Sequence, residues 1–166
     1  MSLEMLINLL TKALTQTLQM VAIAGLIGSA IGLPIGIFLA TSGRGELFPA
    51  PAANRVIGLI VNAARSTPFI ILVVAIIPFT RLITGTSIGT NAAIVPLTIA
   101  TIPFFARLVE AAIREIDSGL IEAARAMGAS PMQIVFKVLL AEARPGLILA
   151  LTDSLARRFD RRNRKT

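Results

Sequence analysis

Charge disappears from this chain for long stretches. No Asp, Glu, Lys or Arg falls between residues 13 and 43, and none between residues 82 and 106. About 20 apolar residues suffice to cross the hydrocarbon core of a bilayer, so each stretch is long enough to span. A helix on a soluble core keeps a polar face and rarely stays uncharged this long. The pattern predicts an all-α polytopic membrane protein with three full transmembrane helices, over residues 17–40, 56–79 and 88–108. The residues ahead of the first span carry Glu4 and a single basic residue, Lys12. That is a poor leader for a cleaved signal peptide, so the first segment reads as a retained helix.

The spans differ in their interruptions. In the first, Ala24, Gly28, Gly32 and Gly36 recur every fourth residue and fall on one face. Small residues so spaced let another helix approach closely in lipid, although glycine is also generally frequent in membrane helices. Pro34 removes a backbone donor and is a candidate kink. Residues 41–54 are rich in Gly, Pro and Ser and read as a loop. The second segment is broken by Arg65, Ser66, Thr67 and Pro68. Arg65 facing lipid is costly. Either it faces the protein interior or a wet cavity, or the segment is an interfacial helix followed by a shorter span, with Arg65 snorkelling. The third span holds Pro96 and Pro103, with Thr98 and Thr101 nearby. Prolines free carbonyls that neighbours or a wet cavity must satisfy, and discontinuous helices often line transport paths; an ordinary kinked packing helix is the alternative. Arg65, Ser66, Pro68, Pro96, Thr98, Thr101 and Pro103 are therefore the candidate passage or gate residues.

Charge sets the orientation. Arg44, Arg55, Arg107, Arg114, Arg125, Lys137 and Arg144 lie on one side of the predicted spans, and Lys12 and Arg81 on the other. The positive-inside rule makes the first set cytoplasmic and places the N-terminus outside. The net charge of +7 describes mostly the last ten residues, where six basic side chains stand against Asp160. Such a tail suits anionic lipid or nucleic acid. Nucleic acid is disfavoured, because no aromatic stacking residues or folded reading head accompany the charge. The chain has neither cysteine nor histidine, which removes thiolate chemistry, the usual zinc ligands and the commonest general base. No metal or cofactor is expected. Glu110, Glu115, Asp117 and Glu122 cluster near Arg114 and Arg125, and pairing on exposed helix surfaces explains them better than catalysis.

The most informative stretch follows the third span: EAAIREIDSGLIEAARAMGASPMQIVFKVLLAEARPGL. Asp117 or Ser118 is placed to cap a helix starting near Gly119. Its sequence LIEAARAM consists of strong helix formers, and Gly128 is suited to end it in a left-handed conformation. Ser130, Pro131 and Gln133 then read as a fresh helix start. The result is a short helix, a sharp turn and a second helix. Leu120, Ile121 and Ala124 form a small apolar ridge at helical spacing. It either covers the chain's own fold or docks into a groove on a partner.

Glu122-Ala123-Ala124, followed by Gly128, Val138 and Leu140, resembles the EAA loop of ABC importer permeases. Where that pattern ends in Pro, this chain has Ala141. The wider run AMGASPMQIVFKVLLAEARPGL, and NAARSTPFIIL around Arg65, are similar to the methionine-importer permeases. The resemblance implies a multi-pass subunit of a bacterial inner membrane that moves methionine, D-methionine included; another amino acid is the alternative substrate. It makes Gly119, Leu120, Ile121, Glu122, Ala123, Ala124, Arg125, Met127 and Gly128 the coupling helix and its end, seated in a cleft of a separate ATPase subunit. The chain itself has no G-x-x-x-x-G-K-[ST] loop to cradle phosphates. Two permeases would frame one passage, with a substrate-binding protein delivering the cargo.

Members of that family continue with further complete spans. Here the apolar stretch after Pro145 covers only residues 146–156, with Asp153 inside it. That is about half a bilayer core. The expectation is a permease domain over residues 1–151, incomplete, with a partial fourth helix, and an atypical basic tail over residues 152–166. A non-transporting fragment and a small membrane scaffold packing through its glycine face are the competing readings.

Overall fold

A computed structural model of the chain describes residues 3–43 and 45–143. Every regular element among them is helical: α1 (Leu3–Thr41), α2 (Pro51–Ser66), α3 (Phe69–Ala75), α4 (Ile77–Thr84), α5 (Thr90–Arg114), α6 (Ser118–Ala126) and α7 (Pro131–Gln133), which runs into a π-helical stretch, Ile134–Leu139. The expected partial fourth helix, the basic tail, Arg44 and Arg144 lie outside the described residues.

α1 begins well before residue 17. Polar residues at 11, 12, 15 and 16 look like the edge of a span. However, the hydroxyls of Thr11, Thr15 and Thr17 each donate to the carbonyl four residues back, at 2.8 Å. Bonded this way, they are absorbed into the helix instead of ending it. At 1.5 Å per residue, the 39 residues of α1 measure about 58 Å, well beyond the hydrocarbon core. Pro34 sits inside α1 without ending it.

Among the described residues two helices, α1 and α5, are long and apolar enough to cross a membrane, and a third span exists if α2 and α3 count as one. That pair is bent by 106°. The bend has a local cause. Pro68 offers no N–H to continue α2, and the hydroxyls of Ser66 and Thr67 donate to the carbonyls of Asn62 and Ala63 at the helix end. The sequence left two readings open at Pro96 and Pro103, a discontinuous helix or an ordinary packing helix, and the structure shows the second, because α5 runs unbroken through both. Both prolines are buried, so the packing around them holds the helix together.

The described residues form two compact units. The first comprises the chain through Leu33 together with Leu59–Phe105. In it Gly28 is buried against Thr101, at a distance where a Cβ would lie 2.7 Å from the threonine Cβ. Its helices turn many large apolar side chains outward, among them Leu18, Leu26, Ile70 and Leu82. Such a surface suits lipid and not water. The second unit comprises Pro34–Gly58 and the described residues from Ala106 on. It has a true core, in which Ala40 and Leu47 meet Val109, Ala112 and Ile113 of α5, Ala124 of α6, and Ile134, Val135 and Leu139 of the π-helical stretch. Gly36 is tightest here, since a Cβ would meet the Ala106 carbonyl and lie 2.7 Å from the Val109 Cβ. Gly32 is buried on the same face of α1.

Candidate functional site

The short helix α6 is stopped at both ends by its own sequence. Asp117, extended at ψ 127, caps it, and its Oδ1 accepts from the Gly119 N–H at 2.7 Å. At the far end Gly128 takes φ 79. Its N–H donates to the Arg125 carbonyl at 2.9 Å, and the Ala129 N–H donates to the Ala124 carbonyl at 3.1 Å. This paired closure is the Schellman arrangement, which requires a left-handed residue at the glycine position. Two residues on, Ser130 and Gln133 form a reciprocal capping box: the Ser130 N–H donates to Gln133 Oε1, and Ser130 Oγ accepts from the Gln133 N–H. With Pro131 at the first position, the next helix begins at once.

α6 is therefore stiff, and it shows one face to its own core and another to the outside. Ala124 is buried and Ile121 half-buried. Leu120 is 46% exposed and Met127 is 82% exposed. Gly119, Glu122, Ala123, Arg125 and Gly128 are exposed as well. The ridge read from spacing is thus divided. Ile121 and Ala124 pack inward, and the outward apolar row is Leu120, Ala123 and Met127. Spacing alone could not separate the two, because positions 120, 121, 123 and 124 share one side of a helix within a turn.

The π-helical stretch was not legible from the pattern. Its wider turn puts Ile134, Val135 and Leu139 on one buried face. A spacing of five has no place in a search for 3.6-residue periodicity.

The acidic cluster also changes meaning. Glu110 is only 8% exposed, so it does not sit on an exposed surface. Its carboxylate is gripped by Arg107 Nη1 on one oxygen and by Arg114 Nε, at 3.0 Å, on the other. Glu115, Asp117 and Glu122 are exposed, and Asp117 serves as a cap. The sequence signal for the Glu110 pairing was present in the i, i+3 and i, i+4 spacings. Burial was the missing part.

The candidate passage residues are spread over two separate places within the first unit. Arg65 is exposed and lines a cavity of about 360 Å³ with Phe69, Leu72 and Phe104. Pro96 lines another of about 430 Å³ with Val73, Ile77 and Ala92. Thr98 and Thr101 turn their hydroxyls back to the carbonyls of Ile94 and Leu97, and Thr101 packs on Gly28. Ser66 and Pro68 form the break between α2 and α3, and Pro103 is buried within α5.

Comparison with known proteins adds an independent line. Residues 32–160 match a family described as "binding-protein-dependent transport system inner membrane component". The chain is 54% identical over 148 residues to the probable D-methionine transport system permease protein MetI of Vibrio cholerae serotype O1, covering 89% of this chain and 66% of that protein. It is 53% identical over 152 residues to the D-methionine transport system permease protein MetI of Escherichia coli strain K12, covering 92% and 70%. The chain thus spans about two thirds of the length of these relatives. Among solved structures, it is similar to one described as an inward-facing conformation of the MetNI methionine ABC transporter, native crystal form. There the TM-score is 0.87 at 54% identity over 93% of this chain and 71% of that one. An amino acid ABC transporter with histidines shares the fold at 19% identity, with a TM-score of 0.61.

Proposed function

The chain belongs to the binding-protein-dependent transport system inner membrane component family, and we propose that it acts as the permease subunit of an ATP-driven importer of methionine, D-methionine included. The relatives named for that substrate share more than half of their aligned residues with it. The observation that carries the reading is α6. It is capped at both ends, anchored by Ala124, and exposes Leu120, Ala123 and Met127 without a covering segment among the described residues. A stiff helix with an outward apolar row fits a groove on a partner. The partner is an ATPase subunit that closes around nucleotide and carries α6 with it. A second copy of the permease frames the passage, and a substrate-binding protein supplies it. The balance of basic side chains puts α6 in the cytoplasm and the N-terminus outside. Substrate crosses beside the first unit, where Arg65 at the α2–α3 break and the buried Pro96 each line a cavity.

Co-expression with the cognate ATPase subunit tests this. The two chains are expected to co-purify from membranes. Leu120→Asp combined with Met127→Asp should abolish retention while the permease still accumulates in the membrane. Retention unchanged by both aspartates would overturn the reading. The scaffold alternative loses support from the packing of Gly28 and Gly36, since both face helix partners within the chain.

A further inference from the structure

We propose that Glu110 is a positioning residue for transport: clasped by Arg107 and Arg114, it binds the second-unit segments of α1, α2 and α5 into one body, so that a displacement of α6 moves these segments together. The proposal rests on the reading of α6 as the coupling helix.

The geometry lies wholly within the second unit. Glu110 sits on α5 and accepts from both arginines of that helix, one turn before it and one turn after. Each guanidinium has a second arm on a different helix. Arg107 Nη2 donates to the Gly58 carbonyl of α2 at 2.9 Å. Arg114 Nη2 donates to the Leu39 carbonyl of α1 at 3.3 Å. The same Leu39 carbonyl accepts from Asn54 Nδ2 of α2 at 2.8 Å, and Asn54 also donates to Ser42 Oγ at 2.9 Å. The carboxylate thus fixes the orientation of two planar forks, and each fork holds a neighbouring backbone. Within a turn of Glu110 on α5, Val109, Ala112 and Ile113 pack in the same core as Ala124 of α6. α6 and α5 thus share one packed core, and α5 is bonded in turn to α1 and α2.

Stability alone gives a poor account of this cluster. The Arg114 side chain is half exposed while Glu110 is buried; exposed ion pairs contribute little, and well-packed apolar residues often do as well as buried ones. Apolar residues cannot hold the carbonyls of two other helices in fixed register. The fork geometry of arginine can, and a lysine, whose three donors share a single rotating nitrogen, does not reproduce the two fixed directions that Arg114 uses from Nε and Nη2.

The chain has no cysteine, so spin labels can be placed cleanly. Val56 of α2 and Met127 beside α6 are both exposed, as is Met132. In the full chain, labels at Val56 and Met127 should give one narrow distance distribution. Glu110→Gln should broaden it, as should the milder Arg114→Lys, while a Met127–Met132 control pair stays narrow. Reconstituted with the ATPase subunit and binding protein, the same variants should lose about tenfold in methionine imported per ATP hydrolysed, with hydrolysis itself retained. Unchanged Val56–Met127 distributions in both variants would overturn the proposal, as would import and hydrolysis falling in parallel. The label distances need no partner, so loss of ATPase retention in the wild-type chain would count against the functional reading and leave the clasp to be judged on the distances alone.

Discussion

Single glycines separate close packing from backbone demand. Gly25 and Gly28 are neighbours on α1, yet a Cβ on Gly25 meets nothing within 4 Å, whereas on Gly28 it collides with Thr101. Gly25→Ala should therefore be neutral or stabilising by up to about 1 kcal/mol from helix propensity. Gly28→Ala should cost about 1–3 kcal/mol through overpacking. Thermal unfolding of the two variants in detergent checks the contrast, and equal effects would contradict it. Gly128 is the opposite case. A Cβ there has open space, but φ is 79. Gly128→Ala should thus cost about 1 kcal/mol from backbone strain alone, seen as faster amide exchange at positions 128 and 129 than in the wild type. Gly128→Asn should cost less, because asparagine tolerates the left-handed region. These roles were partly readable beforehand. The four-residue spacing of Gly28, Gly32 and Gly36 names the face, and Gly128 after a run of helix formers names the cap. Which atom stands opposite each glycine depends on long-range packing, which no local pattern encodes.

At the scale of elements, boundaries set by chemical punctuation were legible and boundaries set by packing were not. The Asp117 cap, the Gly128 stop and the Ser130–Gln133 box all follow from side chains that satisfy nearby backbone groups. The unbroken course of α5 through Pro96 and Pro103, the early start of α1 and the π-helical turn at Ile134–Leu139 do not. In each of these, tertiary packing or back-bonded hydroxyls outweigh the local signal. The division of the α6 ridge belongs here too, since only the fold decides that Ile121 turns inward and Leu120 outward. A consequence follows for α6 as an element. Asp117→Ala should loosen its first turn by about 1 kcal/mol and weaken ATPase retention without changing the apolar row. Asp117→Ser, which supplies another capping oxygen, should restore it. Retention measured across the pair separates helix stiffness from surface chemistry, and equal retention in wild type and Asp117→Ala would show that the cap plays no part in docking.

For the molecule as a whole, the sequence foretold a helical membrane protein from charge-free stretches, and the family from the EAA segment. The resemblance and the matched relatives agree on this. What the charge pattern missed is that Glu110, which joins Arg107 and Arg114, is buried inside the second unit instead of lying on an exposed surface. Topology remains directly measurable. With Glu4→Cys, an impermeant thiol reagent should label intact cells. With Met127→Cys, it should label only opened membranes. The mechanical claim that α6 is seated on the motor is tested most directly by a cross-link. In membranes containing the cognate ATPase subunit, Met127→Cys carrying a short photoreactive group should capture that subunit in high yield, and a probe of the same kind at Val56 should not. Equal capture from both positions, or capture from neither, would contradict the account.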